Sequence, residues 1–237
     1  MNDIKDVLKF SYKDKIRNIN IINFIENYPI SYIEQIGELI IVKGKSDKKW
    51  IYISSKSIDE LKIIKSKINY DDKNFAAVEE WMMPILIKGY EIKWRLSTMK
   101  LILKNEVNIN EAENIMDKLN INDAKFIYEN SDYKDVISID YIINRITKGV
   151  NSCIRHIDKP VGWAITQDDG AIGFLHVLSQ YRNNGYAHDI TIDLINKVRN
   201  KNKIPFVHIE EDNLESMKLA TSLGFEKYKI VNWFERE

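Results

Sequence analysis

The sequence predicts an α+β protein of two lobes, and three observations carry that expectation. Segments with the two-residue period of strands alternate with segments of helical period along the 237-residue chain. The second half gives a clear order of helix, three strands, helix, strand, helix, strand. A polar break at residues 120–123 divides the chain, so residues 1–122 form one lobe and residues 123–237 the other.

Composition bounds the function. Hydrophobic residues make up 44% of the chain and aromatics 11%, enough for real cores. Lys plus Arg number 35 and Asp plus Glu 35, so the net charge is zero and the basic footprint of a nucleic-acid binder is missing. Apolar runs stay well short of the ~20 residues that span a bilayer, and the N-terminus is acidic rather than signal-like. One cysteine, Cys153, excludes an internal disulfide and a cysteine-based zinc site. The expectation is a globular cytoplasmic protein with no metal, no nucleic-acid partner and no membrane partner. Oligomeric state is not legible.

In the first lobe, residues 38–42 and 50–54 are β-branched or aromatic runs. They flank a polar loop, 43–49, whose four lysines read as a solvated turn rather than a nucleic-acid patch. Ile58, Leu61, Ile64 and Ile68 recur at helical spacing. Val78, Trp81, Met82, Ile85 and Leu86 also suggest a helix, which Pro84 should kink or end. Tyr90, Ile92, Trp94 and Leu96 alternate with charged residues as a half-buried strand. Asn110 with Glu113 reads as the cap of a helix carrying Ile115, Met116 and Leu119. Trp50, Trp81 and Trp94 are expected to fill this lobe's core.

In the second lobe, 125–128 reads as a short strand. Ser138 caps a helix with Ile139, Ile142, Ile143 and Ile146 on one face, and Gly149 stops it. Residues 152–157 and 161–167 form a hairpin, and Asp168-Asp169-Gly170 turns into the strand 171–178. A helix follows from Tyr186 to about Asn200, with Ala187, Ile190, Leu194 and Val198 as its buried stripe. Residues 206–210 are a strand, 213–223 a helix and 227–233 a strand.

The chemistry concentrates where the strand 171–178 meets Ser179-Gln180-Tyr181-Arg182-Asn183-Asn184-Gly185-Tyr186-Ala187. Strand, Gly-containing polar loop and helix together present unpaired amides at a helix N-terminus, which suits a phosphate. Gly185 lets backbone approach the anion, and Ala187 keeps the first turn uncrowded. Asn184-Gly185 is also a common hairpin turn, but the apolar period after it is helical, not two.

Arg182-x-x-Gly185-x-Ala187, followed by Asn213…Leu219…Leu223-Gly224-Phe225, resembles the GNAT acyltransferase superfamily. The resemblance covers residues 125–237, about half the chain. Lys159-Pro160-Val161-Gly162-Trp163 and Leu178-Ser179-Gln180-Tyr181-Arg182 look like the glycine N-acyltransferase-like branch. The fold implied is the GNAT acyl-CoA N-acyltransferase fold. Residues 1–122 would then be a degenerate GNAT-like lobe.

That resemblance implies acetyl-CoA, or another acyl-CoA, as co-substrate. Its pantetheine arm would pair with backbone at Leu175, Val177 and Leu178. The amides of Arg182, Asn183, Asn184, Gly185, Tyr186 and Ala187 would hold the pyrophosphate. Asn213 would touch pantetheine, although an Asn before a helix is also an ordinary cap. The reaction implied is direct acyl transfer to a primary amine of a small molecule or amino acid entering between the lobes. Removing the ammonium proton costs about 4 kcal/mol at neutral pH for a pKa near 10.

The chain departs from the family at two places. Ala171 stands where a strand glutamate is usual, and Ala220 where a tyrosine acid is usual. His208 is the candidate base, because imidazole titrates near neutrality. Glu210, two residues on, would orient it or act instead. Strand alternation turns His176 to the face away from Leu175 and Val177. His188 and Tyr186 lie near the phosphate loop, and Cys153 reads as a core residue. The alternatives are a protein or peptide N-acetyltransferase and a non-catalytic acyl-CoA sensor.

Overall fold

A computed structural model describes residues 3–134 and 137–237. Contacts divide the chain into two units. The first holds residues up to Lys100 with Ile209–Asp212 and Tyr228–Glu237. The second holds Leu101–His208 and Asn213–Lys227. In chain order one succession occurs twice: two helices, three strands, a helix, a strand, a helix and a strand.

The first succession is α1 (Ile4–Ser11), α2 (Ile19–Asn27), β1 (Ile30–Ile36), β2 (Leu39–Lys45), β3 (Lys49–Ser54), α3 (Ile58–Lys65), β4 (Asn74–Glu79), α4 (Met83–Leu86) and β5 (Ile92–Ile102). Antiparallel β1, β2 and β3 are followed by β4 running parallel to β3, with Ile51 opposite Phe75. Residues of β10 (Glu226–Arg236) lie antiparallel beside β4, with Val231 opposite Glu79.

The central strands are buried on both faces, which is why residues 39–42 and 50–53 are continuous apolar runs. Alternate residues serve opposite cores. Leu39, Ile41, Ile51 and Ile53 pack with Leu61 and Ile64 of α3. Ile40, Val42, Trp50 and Tyr52 pack with Ile21 and Phe24 of α2. Trp50 and Trp94 meet edge to face, with centroids 6.4 Å apart. The expected helix around 78–86 is shorter than its apolar period suggested. Val78 belongs to β4, and Pro84 sits in the first turn of α4, where its missing N–H is harmless.

The second succession is α5 (Ala124–Glu129), α6 (Ile139–Lys148), β6 (Asn151–His156), β7 (Lys159–Thr166), β8 (Ile172–Val177), α7 (Tyr186–Arg199), β9 (Phe206–Ile209), α8 (Leu214–Ser222) and β10. β6, β7 and β8 are antiparallel neighbours, and β9 runs parallel to β8. α7 covers one face. There Gly162 makes room, since a Cβ would come within 2.9 Å of Ile190 Cδ1 and 3.2 Å of Val177 Cγ2 and push those side chains aside. The other face packs Trp163, Cys153 and Ile165 against Ile127 of α5 and Ile142 and Ile146 of α6. The order expected from Ser138 onward is the order found.

Two expectations are corrected. Residues 125–128 are helix, not strand. A short apolar run does not discriminate between the two, and the Asn120–Asp123 capping box starts a helical turn. The helix expected after Asn110 is absent. Instead Asp117 pairs with Cys153 through two backbone bonds of 2.8 and 3.0 Å, and Ile115 is 93% exposed. By contacts, the first division along the chain falls between Lys100 and Leu101. Residues 228–237 group with the first unit because β10 pairs with β4.

Candidate functional site

β8 carries an extra residue. Opposite β7, Trp163 pairs with His176 while Ile165 pairs with Gly173, so two steps on β7 match three on β8. The bulge is marked by Phe174 at φ 50, a positive value that is uncommon for an aromatic side chain. Among the described residues, β8 and β9 pair at Ile172–Val207, short of the bulge. Beyond that point the backbone edge of Leu175 and Val177 has no β9 partner in register.

The bulge also resets strand alternation. Phe174 and Leu178 pack on the core face of Trp163, and His176 stacks on that indole with centroids 4.9 Å apart. His176 therefore lies on the α5/α6 face, opposite the α7 face.

After β8, a 3-10 turn (Ser179–Tyr181) leads into the loop. Arg182 Nε donates to Val177 O at 3.1 Å, tying the loop back to the strand end. Asn183 has φ 64 and Gly185 φ 75, and a Cβ on Gly185 would meet nothing within 4 Å. Asn184 Nδ2 donates to Tyr181 O and Arg182 O at 3.1 and 3.2 Å. α7 begins with no side-chain cap. Among the described residues, the amides of Asn183 through His188 donate to no protein acceptor, and Asp189 N is the first to do so, to Gly185 O. Six consecutive donors without a protein acceptor stand at the positive end of a 14-residue helix, the arrangement an anion cradle requires. The Asn184-Gly185 hairpin alternative falls, since a helix follows.

Two residues missed in the sequence hold this cradle. Asp189, buried in the first turn of α7, accepts from Asn114 N at 2.9 Å and Asn114 Nδ2 at 2.7 Å. Burial pushes its carboxyl up, but the Asn114 bonds and the neighbouring His188 outweigh that and hold it below the usual range. His188 is half-exposed, with Nδ1 3.4 Å from Asp189 Oδ1. Nothing in the spacing of Asn114 and Asp189 announces the contact.

His208 follows Val207 at the point where β8 and β9 part. Its side chain is 3% exposed, and its Nε2 lies 3.3 Å from Oδ2 of Asp169, itself 1% exposed. Asp169 Oδ1 accepts from Ala171 N at 3.0 Å. Sequence reading took Asp169 only as a turn residue. Glu210 lies past the last residue of β9, half-buried. Asn213 Oδ1 accepts from Ser216 N at 3.1 Å, so its side chain caps α8. Ala171 and Ala220 are both buried. Cys153 is buried, and that burial pushes its thiol up to about 11, away from nucleophile chemistry.

The family model for FR47-like proteins matches residues 153–234. No curated protein sequence is significantly similar to the chain. Among solved structures, a Drosophila protein superposes with a TM-score of 0.82 at 13% identity, covering 98% of this chain and 95% of that one. A GCN5-related N-acetyltransferase from Kribbella flavida gives 0.59 at 13% identity, covering 93% and 94%. A tandem GNAT protein from the clavulanic acid biosynthesis pathway gives 0.58 at 10%, covering 98% and 94%. The fold is that of GNAT acetyltransferase structures. Among the described residues, no helix is long and apolar enough to cross a membrane, and no group of three or more His, Cys, Asp or Glu is placed to hold a metal.

Proposed function

We propose that the protein is an N-acyltransferase that moves an acetyl or other acyl group from acyl-CoA to a primary amine of a small molecule or amino acid. One observation carries the reading: a strand edge opened at the Phe174 bulge runs directly into six unbonded amides at the start of α7. An acyl-CoA has the matching parts, an amide-bearing arm and a pyrophosphate. Backbone groups of Leu175, Val177 and Leu178 would pair with the arm, and the amides of Arg182–Ala187, with Gly185 leaving room, would hold the pyrophosphate. The resemblance to the glycine N-acyltransferase-like branch supports the amino-acid acceptor.

The amine nitrogen attacks the thioester carbonyl of acyl-CoA; as the C–N bond forms and the C–S bond breaks, CoA leaves as its thiolate, which takes up a proton to balance the one lost by the amine. The chain must then polarise the carbonyl oxygen, which a strand N–H beside the bulge does, and accept a proton. His208 is the proposed base, placed at the strand fork and oriented by Asp169. Glu210 is the second candidate. Acetyl-CoA consumption against a panel of primary amines tests the reading, with a drop of tenfold or more expected in His208→Ala. Glu210→Gln separates the two bases.

A second reading is a non-catalytic acyl-CoA-binding protein. The buried alanines at 171 and 220 and the burial of His208 favour it. Tight acyl-CoA binding with no turnover on any amine would establish it.

A further inference from the structure

α5 and the end of β8 flank a cleft of about 390 Å³, lined by Phe126, Asn130, His176, Leu178, Gln180 and Arg182. Its volume is within the range of small-molecule sites. The walls are apolar at Phe126 and Leu178, and a few polar groups converge between them. His176 is half-buried with one ring face against Trp163. Among the described residues, neither of its ring nitrogens bonds to protein. Asn130 spends Nδ2 on Phe126 O at 2.9 Å, which leaves Oδ1 as an acceptor.

Burial holds the His176 imidazole below the usual histidine range, with the nearby Asp132 carboxylate opposing and Arg182 adding to the effect. A neutral imidazole keeps one lone pair and so accepts a hydrogen bond from a cationic donor. The cleft thus offers acceptor atoms on His176 and Asn130, with the Asp132 carboxylate acting on His176, and apolar surface at Phe126 and Leu178 beside the polar Ser179, Gln180 and Arg182. An ammonium with an apolar body matches both.

We infer that this cleft binds the acceptor amine as an apolar primary amine, with His176 and Asn130 receiving its ammonium and Phe126 and Leu178 its hydrocarbon. This rests on the acyltransferase reading for the word acceptor, but binding in the cleft does not. The Arg182 side chain at the rim admits a molecule whose far end is neutral or anionic.

The experiment titrates phenethylamine, and separately methylamine, into the protein without acyl-CoA. Phenethylamine is expected to bind saturably and at least tenfold more tightly than methylamine. His176→Phe, which keeps the stack on Trp163, should weaken it at least tenfold, and His176→Gln should recover part of the loss. Acetyl-CoA affinity should be unchanged in both variants, and in steady state the amine KM should rise with little change in kcat. Equal binding of the two amines, no binding, or no effect of His176→Phe would overturn the inference while leaving the acyl-CoA reading intact. If acetyl-CoA fails to bind but phenethylamine behaves as stated, the cleft stands and the acyltransferase reading falls.

Discussion

His208 Nε2 lies 3.3 Å from Asp169 Oδ2, and both side chains are almost wholly buried at the place where β8 and β9 part. The contact joins a turn and a strand almost forty residues apart in the chain. It fixes which imidazole nitrogen faces the carboxylate.

Asp169→Asn should therefore lower amine turnover by tenfold or more while acetyl-CoA affinity stays within about twofold. It should also destabilise the fold by about 1–3 kcal/mol, since a buried acceptor is replaced by a partial donor. Steady-state kinetics beside urea unfolding check both. Unchanged turnover would remove His208 from the chemistry.

His176 predicts a pH effect on stability. Its pKa is lowered in the folded protein by burial, so the unfolded chain binds the proton more readily. The sign follows: stability is full above the unfolded value near 6.5 and falls as pH drops below it. Wild type should lose stability relative to His176→Phe between pH 7.5 and 5. Parallel pH curves for the two proteins would contradict this.

The first unit fills its own corresponding places. β4 has its bulge at Ala77, φ 51, but the ends of β3 and β4 are bridged by Arg17, which donates from Nε to Ser54 Oγ at 3.1 Å and pairs with Glu79 Oε1 at 3.1 Å. The start of α3 is capped by Ser57 Oγ, and the Glu60 carboxylate accepts from Ser55 Oγ and Lys56 N at 3.2 and 3.4 Å. The Ser57 hydroxyl and the Glu60 carboxylate thus occupy the start of that helix, and a carboxylate there repels an anion. Acetyl-CoA should bind once per chain, and Glu60→Ala should leave its affinity unchanged. A stoichiometry of two would contradict the account.

Cys153, with its thiol raised to about 11, should resist alkylation by iodoacetamide at pH 8 in the folded protein and react in urea. Cys153→Ala should retain turnover, as direct transfer needs no acyl-enzyme.

The second unit was largely readable because its signals are local. Ser138, Gly185 and the apolar period after Tyr186 each act within one or two turns of chain. The turn from β8 through Gly185 into α7 was legible for the same reason. What escaped depends on partners distant in sequence. Asp117 bridging Cys153 turned an expected helix into an extended segment, and Asn114 meeting Asp189 has no spacing signature. The β8 bulge at Phe174 shifts alternation, and Gly173 beside it was read only as one more position in a regular strand. The pairing of β10 with β4, which groups residues 228–237 with the first unit, likewise joins segments distant in sequence.

The most direct test is calorimetric titration of acetyl-CoA into wild type and Gly185→Asp. A Cβ at Gly185 meets open space, and Asp is among the residues that best tolerate φ 75, so the variant should fold, as circular dichroism would verify. The account predicts saturable binding to wild type and at least a hundredfold loss in the variant, whose carboxylate stands among the amides meant for pyrophosphate. Equal affinity in the two proteins, or no binding of acetyl-CoA and longer acyl-CoAs to wild type, would contradict it.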